Sequence, residues 1–324
     1  MRLLGGIART ISAGLVLVTG LALSCVAASA GPREAIVTNQ TGNSVSIVDL
    51  QSMKVAAEVE VPGKPAGVAV SPDGRRAYVT APEGKDIAVL DLETRTILKR
   101  LPVGSGPVGI AVAPGGKRVW VADWYDHKLY AAEPEGAGIL GAVETGQSPS
   151  GVAVTPDGAL VLTADRDSNA VSIIDAATLK RVGSVGVGER PFGVTIDETG
   201  QWAFTANVGS DDVSVIDIKA RQVIGTVKVG RRPYAVALLG NRAYVSDQYG
   251  GTVSVIGIGS LRVLATVPVG DHPEGIMAAA DGSAVFVACW MDNELHRIDP
   301  QTLQVTGKVA VGDGPRAFGS FLRQ

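Results

Sequence analysis

The chain repeats itself. A strand-like segment, AIVTN at Ala35, recurs at Ala77, Val119, Val161, Ala203, Ala243 and Val285, in steps of 42 residues with a single step of 40. The short step comes from Ala237–Arg242, where ALLGNR replaces the longer AVSPDGRR-type turn. A period near 40 with no helical hydrophobic pattern restricts the fold to blades stacked in a ring, because one unit of this length cannot bury its own apolar faces. Each unit reads as four strands: a GVAV-type first strand, a PDG turn, an RAYVT-type second strand, a VSVID third strand, and a fourth strand after a D-x-x-T turn. Valine and isoleucine alternating with small residues suit strands covered on both faces. Tyr78, Trp120, Phe204, Tyr244 and Phe286 share one repeat position and are expected to pack between blades.

The repeats open on a second strand at Ala35 and close on RAFGSFL, which fits a first strand. First strands at Gly67, Gly109, Gly151, Gly193, Ala235, Gly275 and Ala317 make seven. The expected fold is therefore all-β: one seven-bladed propeller domain over residues 31–324, with four antiparallel strands per blade. Ala317–Leu322 is expected to close the ring by completing the blade that contains Ala35–Val61. The stretch AYVTAPEGKDIAVLDLETRTILKRLPVGSGPVGIAVAPGGKR resembles the YVTN-type repeat of exported seven-bladed propellers, and the resemblance covers essentially all of residues 31–324. That superfamily includes lactonase-like enzymes, streptogramin lyase-like propellers, quinoprotein amine dehydrogenase heavy chains and plain binding platforms. The resemblance thus implies a fold and an exported setting, while the activity must be argued from the site.

Residues 1–30 read as a cleaved leader: Arg2 and Arg9, a glycine-broken apolar run, then Ala28-Ser29-Ala30 in an A-x-A pattern. Periplasmic or secreted localisation follows, with a lipoprotein anchored through Cys25 of ALSC as the alternative. No other stretch is long and apolar enough to span a bilayer. Loss of Arg2 and Arg9 takes the formal charge from −3 to −5, which gives no global attraction for nucleic acid. Only Cys289 would then remain, so no intrachain disulfide can form.

Where seven copies of a unit diverge toward bulky or charged residues, selection beyond folding is expected. Two connections lie at the same end of each blade: the link from the fourth strand to the next first strand, and the loop between strands two and three. After the link proline stand Ala66, Val108, Ser150, Phe192, Tyr234, Glu274 and Arg316, and before it Lys64, Gly106, Ser148, Arg190, Arg232, His272 and Gly314. The rim is therefore bland on one side and aromatic and charged on the other. Among the six-residue loops, DWYDHK (Asp123), DQYGGT (Asp247) and CWMDNE (Cys289) are the rich ones. Trp124, Tyr125, His127, Arg190, Phe192, Arg232, Tyr234, Tyr249, Trp290 and Arg316 are the candidate ligand- or partner-binding residues. An aromatic ring beside an arginine holds a planar or anionic group by stacking and paired hydrogen bonds.

His272 and Glu274 form the candidate catalytic pair, since a histidine near a carboxylate can do acid–base work near neutral pH. The H-P-E string resembles the histidine and glutamate of streptogramin lyase-like propellers. No metal ligand set is expected: His127, His272 and His296 fall in different repeats, and Asp123, Asp165 and Asp247 at their loop starts read as turn caps. His296 replaces the serine of VSVID and, with Arg297, reads as repacking near the ring join. Cys289 reads as a small buried residue. No haem-attachment, nucleophile-elbow or phosphate-loop motif is present, and no cofactor is expected.

The expected function is an exported, monomeric propeller that binds a small anionic or aromatic ligand, or an exported protein partner, on its loop face. The resemblance adds a role accessory to a periplasmic redox enzyme. The alternative is a lactonase- or lyase-like enzyme using His272 and Glu274.

Overall fold

A computed structural model of the protein describes residue 31 and residues 33–324; the expected leader and Cys25 lie outside the described residues. Seven sheets form a ring of blades, and each consecutive repeat supplies one. Blade 1 is built from Glu34–Asn39, Ser44–Asp49 and Lys54–Glu60. Blades 2 to 7 begin at Gly67, Pro107, Pro149, Pro191, Pro233 and Pro273, and each contributes four antiparallel strands. The described residues contain one short 3-10 turn, Arg166–Ser168, and no helix long and apolar enough to cross a membrane.

Second and third strands are buried on both faces, whereas outer strands such as Lys54–Glu60 alternate toward solvent. Trp120, Phe204 and Tyr244 are among the largest fully buried side chains, with Tyr78 and Phe286 close behind, so the shared aromatic position packs between blades. The aspartate that ends the third strand caps the following turn. Asp175 accepts the Thr178 amide at 2.7 Å and Asp299 that of Thr302 at 2.9 Å, and these hydrogen bonds hold both carboxyls below their ordinary range. Pairing between strands three and four slips by one residue in each blade, for example at Ile47/Val48 and Val215/Ile216, a bulge that increases the local twist.

First strands crowd the axis. A Cβ on Gly109 would collide with the Ser150 carbonyl, and one on Gly275 with those of Arg316 and Ala317. Glycine there lets one blade's first strand lie against the next blade's link. In blades 3 to 7 the ladder between strands one and two breaks just after the link proline, as at Pro191/Val194 and Pro233/Val236. The residue after that proline therefore stands outside the ladder.

The C-terminal segment closes the ring. Leu322–Arg323 pairs antiparallel with Glu34–Ala35, the Ile36 amide donates to the Phe321 carbonyl at 2.8 Å, and the Arg316 amide donates to Thr38 at 2.8 Å. The closing strand is less regular than the repeat predicts. Phe318–Ser320 leaves blade 1 to run parallel to Gly67–Val70 as a fifth strand of blade 2. Gly319 makes this possible: its φ is 123°, and a Cβ there would strike the Val68 carbonyl. Phe321 and Leu322 return to the core of blade 1, where Arg323 binds Glu34 at 2.6 Å and also contacts Glu93.

Candidate functional site

The links and the two–three loops meet on one face of the ring. The residue that follows the second strand donates its amide to the link residue before the proline: Trp124 to Gly106, Arg166 to Ser148, Val208 to Arg190, Gln248 to Arg232 and Trp290 to His272. Lys64, Ser148, Arg190, Arg232 and His272 hold φ between 52° and 60°. Bland and rich blades share this left-handed geometry, so it belongs to the repeat; only the side chains it displays differ.

The residues after the link prolines form an inner ring around the axis. Phe192 and Tyr234 stack at 4.4 Å between centroids, and both pack on Phe318 at 5.1 and 5.5 Å. Trp124 reaches in from the far side to 6.2 Å from Phe192. Beside this plug, Arg316 Nε binds Glu274 Oε2 at 2.7 Å while its guanidinium lies 5.6 Å from the Tyr234 ring. Glu274 is almost fully buried and takes a second hydrogen bond from Gln248 Nε2 at 2.6 Å. Burial opposes the charge of Arg316, but Glu274 outweighs it and holds the guanidinium above its ordinary value. Burial likewise pushes the Tyr234 phenol well up.

An outer ring lies above the plug. Arg166 sits 5.4 Å over Trp124, and Arg232 sits 4.7 Å over Tyr249. His272 lies edge-on to Tyr249 at 5.2 Å and 6.5 Å from Trp290. Three buried polar atoms on this side have no partner: Arg232 Nε, Gln248 Oε1 and Trp290 Nε1. Unsatisfied groups of this kind are uncommon in folded proteins and costly where they occur.

The structure thus brings together Trp124, Phe192, Tyr234, Glu274 and Arg316 in one group, and Arg232, Tyr249, His272 and Trp290 in another. Arg190 is exposed and forms no side-chain hydrogen bond or ion pair among the described residues. His272 and Glu274 are not hydrogen-bonded to each other. His272 Nδ1 meets Asp271 at 2.7 Å, whereas Glu274 turns inward to Arg316 and Gln248. The Trp124 loop divides its roles. Asp123 accepts the amides of Gly106, Tyr125 and Asp126, Tyr125 lies over Gly106 with most of its ring exposed, and His127 Nδ1 accepts the Ser148 amide at 3.0 Å. Asn43, Asn169, Asp211 and Asn293 do the same for their own links, so His127 occupies the repeat's capping position. Asp165 and Asp247 also serve their own blades, binding Ser172 at 2.5 Å and Ser254 at 2.7 Å. Burial raises both carboxyls, that of Asp247 to about 6.

Sequence comparison of blades missed three members of the mouth. Phe318 stands where the other first strands carry Val68, Ile110, Val152, Val194, Val236 and Ile276, a contrast visible in the repeats. Arg166 and Gln248 share the loop position of Trp124 and Trp290, which would have marked them. On the far side of Phe318 the axis opens as a blind funnel of about 760 Å³. Ile110, Val152, Val194, Leu238 and Met277 line it, and it reaches solvent among the one–two turns. The plug therefore separates two faces of different chemistry.

Part of the chain is similar to the YNCE-like beta-propeller family. That family's sequence pattern matches residues 9–118, which include the strands of blades 1 and 2. Three solved structures share the fold. Kuenenia stuttgartiensis hydrazine synthase is 19% identical with a TM-score of 0.72, covering 78% of this chain and 88% of that one. A functionally unknown protein from Desulfotomaculum acetoxidans is 16% identical with a TM-score of 0.78, covering 89% and 99%. Dihydro-heme d1 dehydrogenase NirN, in complex with DHE, is 14% identical with a TM-score of 0.66, covering 87% and 74%. No curated protein matches the chain. At these identities the structures speak for the fold, and two of them are redox-related proteins by name.

Proposed function

We propose that the protein is an exported binding platform whose loop face takes a small planar anion at the mouth formed by blades 5 to 7. The observation that carries this reading is the clustering of partly exposed ring faces with a guanidinium group on that one side, where Arg232 lies over Tyr249 and His272 lies between Tyr249 and Trp290. Arg232 and Trp290 each bring a ring or a cation together with an unsatisfied N–H donor. A carboxylate attached to an aromatic ring would stack on Tyr249 or Trp290 and accept from Arg232. The separate partners of His272 and Glu274 favour binding over acid–base catalysis. The two redox-related neighbours support an exported redox protein as the partner that delivers or receives the ligand.

Tryptophan fluorescence of the exported protein, titrated with naphthalene-2-carboxylate and with its neutral amide, tests the reading. The acid should bind and the amide should not. Arg232→Ala or Trp290→Ala should each weaken acid binding by roughly 1–3 kcal/mol, while Lys64→Ala on the bland side should leave it unchanged. Equal binding of acid and amide, or equal effects of the three substitutions, would overturn it.

A further inference from the structure

We propose that blade 7 carries a site for a divalent metal ion of the zinc class, formed by Cys289, Asp292, Glu294 and His296. In four blades the end of the second strand is tied to the third strand by an Asx–Ser pair seven residues apart. The pairs are Asn39–Ser46 at 2.8 Å, Asp165–Ser172 at 2.5 Å, Asn207–Ser214 at 3.0 Å and Asp247–Ser254 at 2.7 Å. In blade 7 the same two positions are Cys289 and His296. A structural hydrogen-bonding pair has thus become a thiol and an imidazole, two of the strongest metal ligands among side chains.

Strand register places the remaining donors. Cys289 is paired with Glu294, and Val287 with His296, so thiol, carboxylate and imidazole project from one face of the sheet. Donor atoms of Asp292, Glu294 and His296 lie within 4.8 Å of one another; the Cys289 sulfur stands outside that spacing and closes on the ion as it binds, and Asp292 Oδ2 also accepts the Asp271 amide at 2.8 Å. A Cβ on Gly270 would run into both the Asp292 carboxylate and Cys289, so these two flank the same point. His296 has no exposed surface; its Nε2 meets Glu294 Oε2 at 2.7 Å, and its Nδ1 is buried without a partner.

One sulfur, one nitrogen and two carboxylate oxygens are a mixed set that suits zinc in tetrahedral coordination and does not suit calcium or magnesium, which select oxygen. Binding converts the Cys289 thiol to a metal-bound thiolate and releases its proton. Asp292 is exposed and Glu294 partly so, which gives the ion a way in. Lys308 Nζ stands 3.6 Å from Glu294 Oε2, but its side chain is more than half exposed and can swing into solvent as the ion enters. Bound metal would pin the loop that carries Trp290 at the edge of the mouth.

The test is a cobalt(II) titration of untagged, chelator-washed protein. Stoichiometric binding should produce a near-ultraviolet sulfur-to-cobalt charge-transfer band and visible bands of four-coordinate intensity, both abolished by equimolar zinc. Cys289→Ser should remove the charge-transfer band, which also distinguishes this thiol from Cys25. Asp292→Asn and Glu294→Gln lie at the open side of the site. They should weaken cobalt binding by more than about tenfold, with far-ultraviolet circular dichroism confirming that each variant is folded without metal. Absence of a stoichiometric charge-transfer band in the parent protein would overturn the proposal. So would a band that survives Cys289→Ser, or binding indifferent to both carboxylate substitutions.

Discussion

Closure of the ring rests on a few buried side chains, and Phe321 is the one whose removal measures it best. It has no exposed surface and packs with Ile36, Ala77, Leu90 and Leu322 where blade 1 receives the C-terminal strand. Truncating a phenylalanine in such a site costs about 3–5 kcal/mol, transfer and cavity terms together. Unfolding entropy near 2.1 cal/mol/K per residue gives roughly 0.6 kcal/mol/K for a chain of about 290 residues. Phe321→Ala should therefore lower the melting temperature by about 5–8 °C in differential scanning calorimetry. Leu264→Ala is the matched control: it lies on the outer strand of blade 6, is 56% exposed, and should move the transition by less than about 1 °C. Deleting residues 317–324 is the harsher version, since Phe318 and Leu322 go too and Glu34 loses Arg323. If Phe321→Ala melts no lower than Leu264→Ala, the C-terminal strand does not hold the ring shut and the account of closure is wrong.

Asp247 should make the fold less stable as pH rises. Its carboxyl is raised from 3.8 to about 6 by burial, so the native state holds the proton more tightly, and stability falls between about pH 4 and pH 6 by roughly 3 kcal/mol. Asp247→Asn places there the residue that blades 1 and 5 carry as Asn39 and Asn207; it should raise urea stability at pH 7 and flatten that slope, and an unchanged pH profile would refute the assignment. Gly109→Ala should cost about 1–3 kcal/mol because its Cβ meets the Ser150 carbonyl, whereas Gly186→Ala, with open space around it, should be neutral in the same thermal scan. Intact mass of the exported protein should begin at Gly31, and a lipid-modified Cys25 would overturn the cleavage expectation.

Fold and rim were legible because they are periodic. The 42-residue step, the single 40-residue exception and the strand left over at Ala317 are enough to count the blades and locate the join. Non-periodic features were harder to read. His127 looks like a ligand residue as a letter, yet it holds the left-handed capping position that asparagine or aspartate holds in four other blades. Glu274 follows His272 by two residues, but the proline between them and the break in the ladder send the two side chains to different partners. Phe318, at a position that is valine or isoleucine in the other first strands, draws no attention within its own segment; the structure shows it packed against Phe192 and Tyr234 among the first strands. Cys289 and His296 were weighed separately, although the seven-residue spacing of the Asx–Ser pair already joined them.

The way the ring is fastened also decides how the molecule can be displayed. The Arg33 amide donates to the Arg323 carbonyl at 2.8 Å, residue 31 lies against the turn at Asp281, and Arg323 lies against the turn at Gly74. Both described ends therefore emerge side by side among the one–two turns, on the face where the funnel opens. A tether attached at either end, whether a lipid, a fused domain or a sensor chip, presents the aromatic mouth outward to whatever approaches from solution and turns the funnel toward the support.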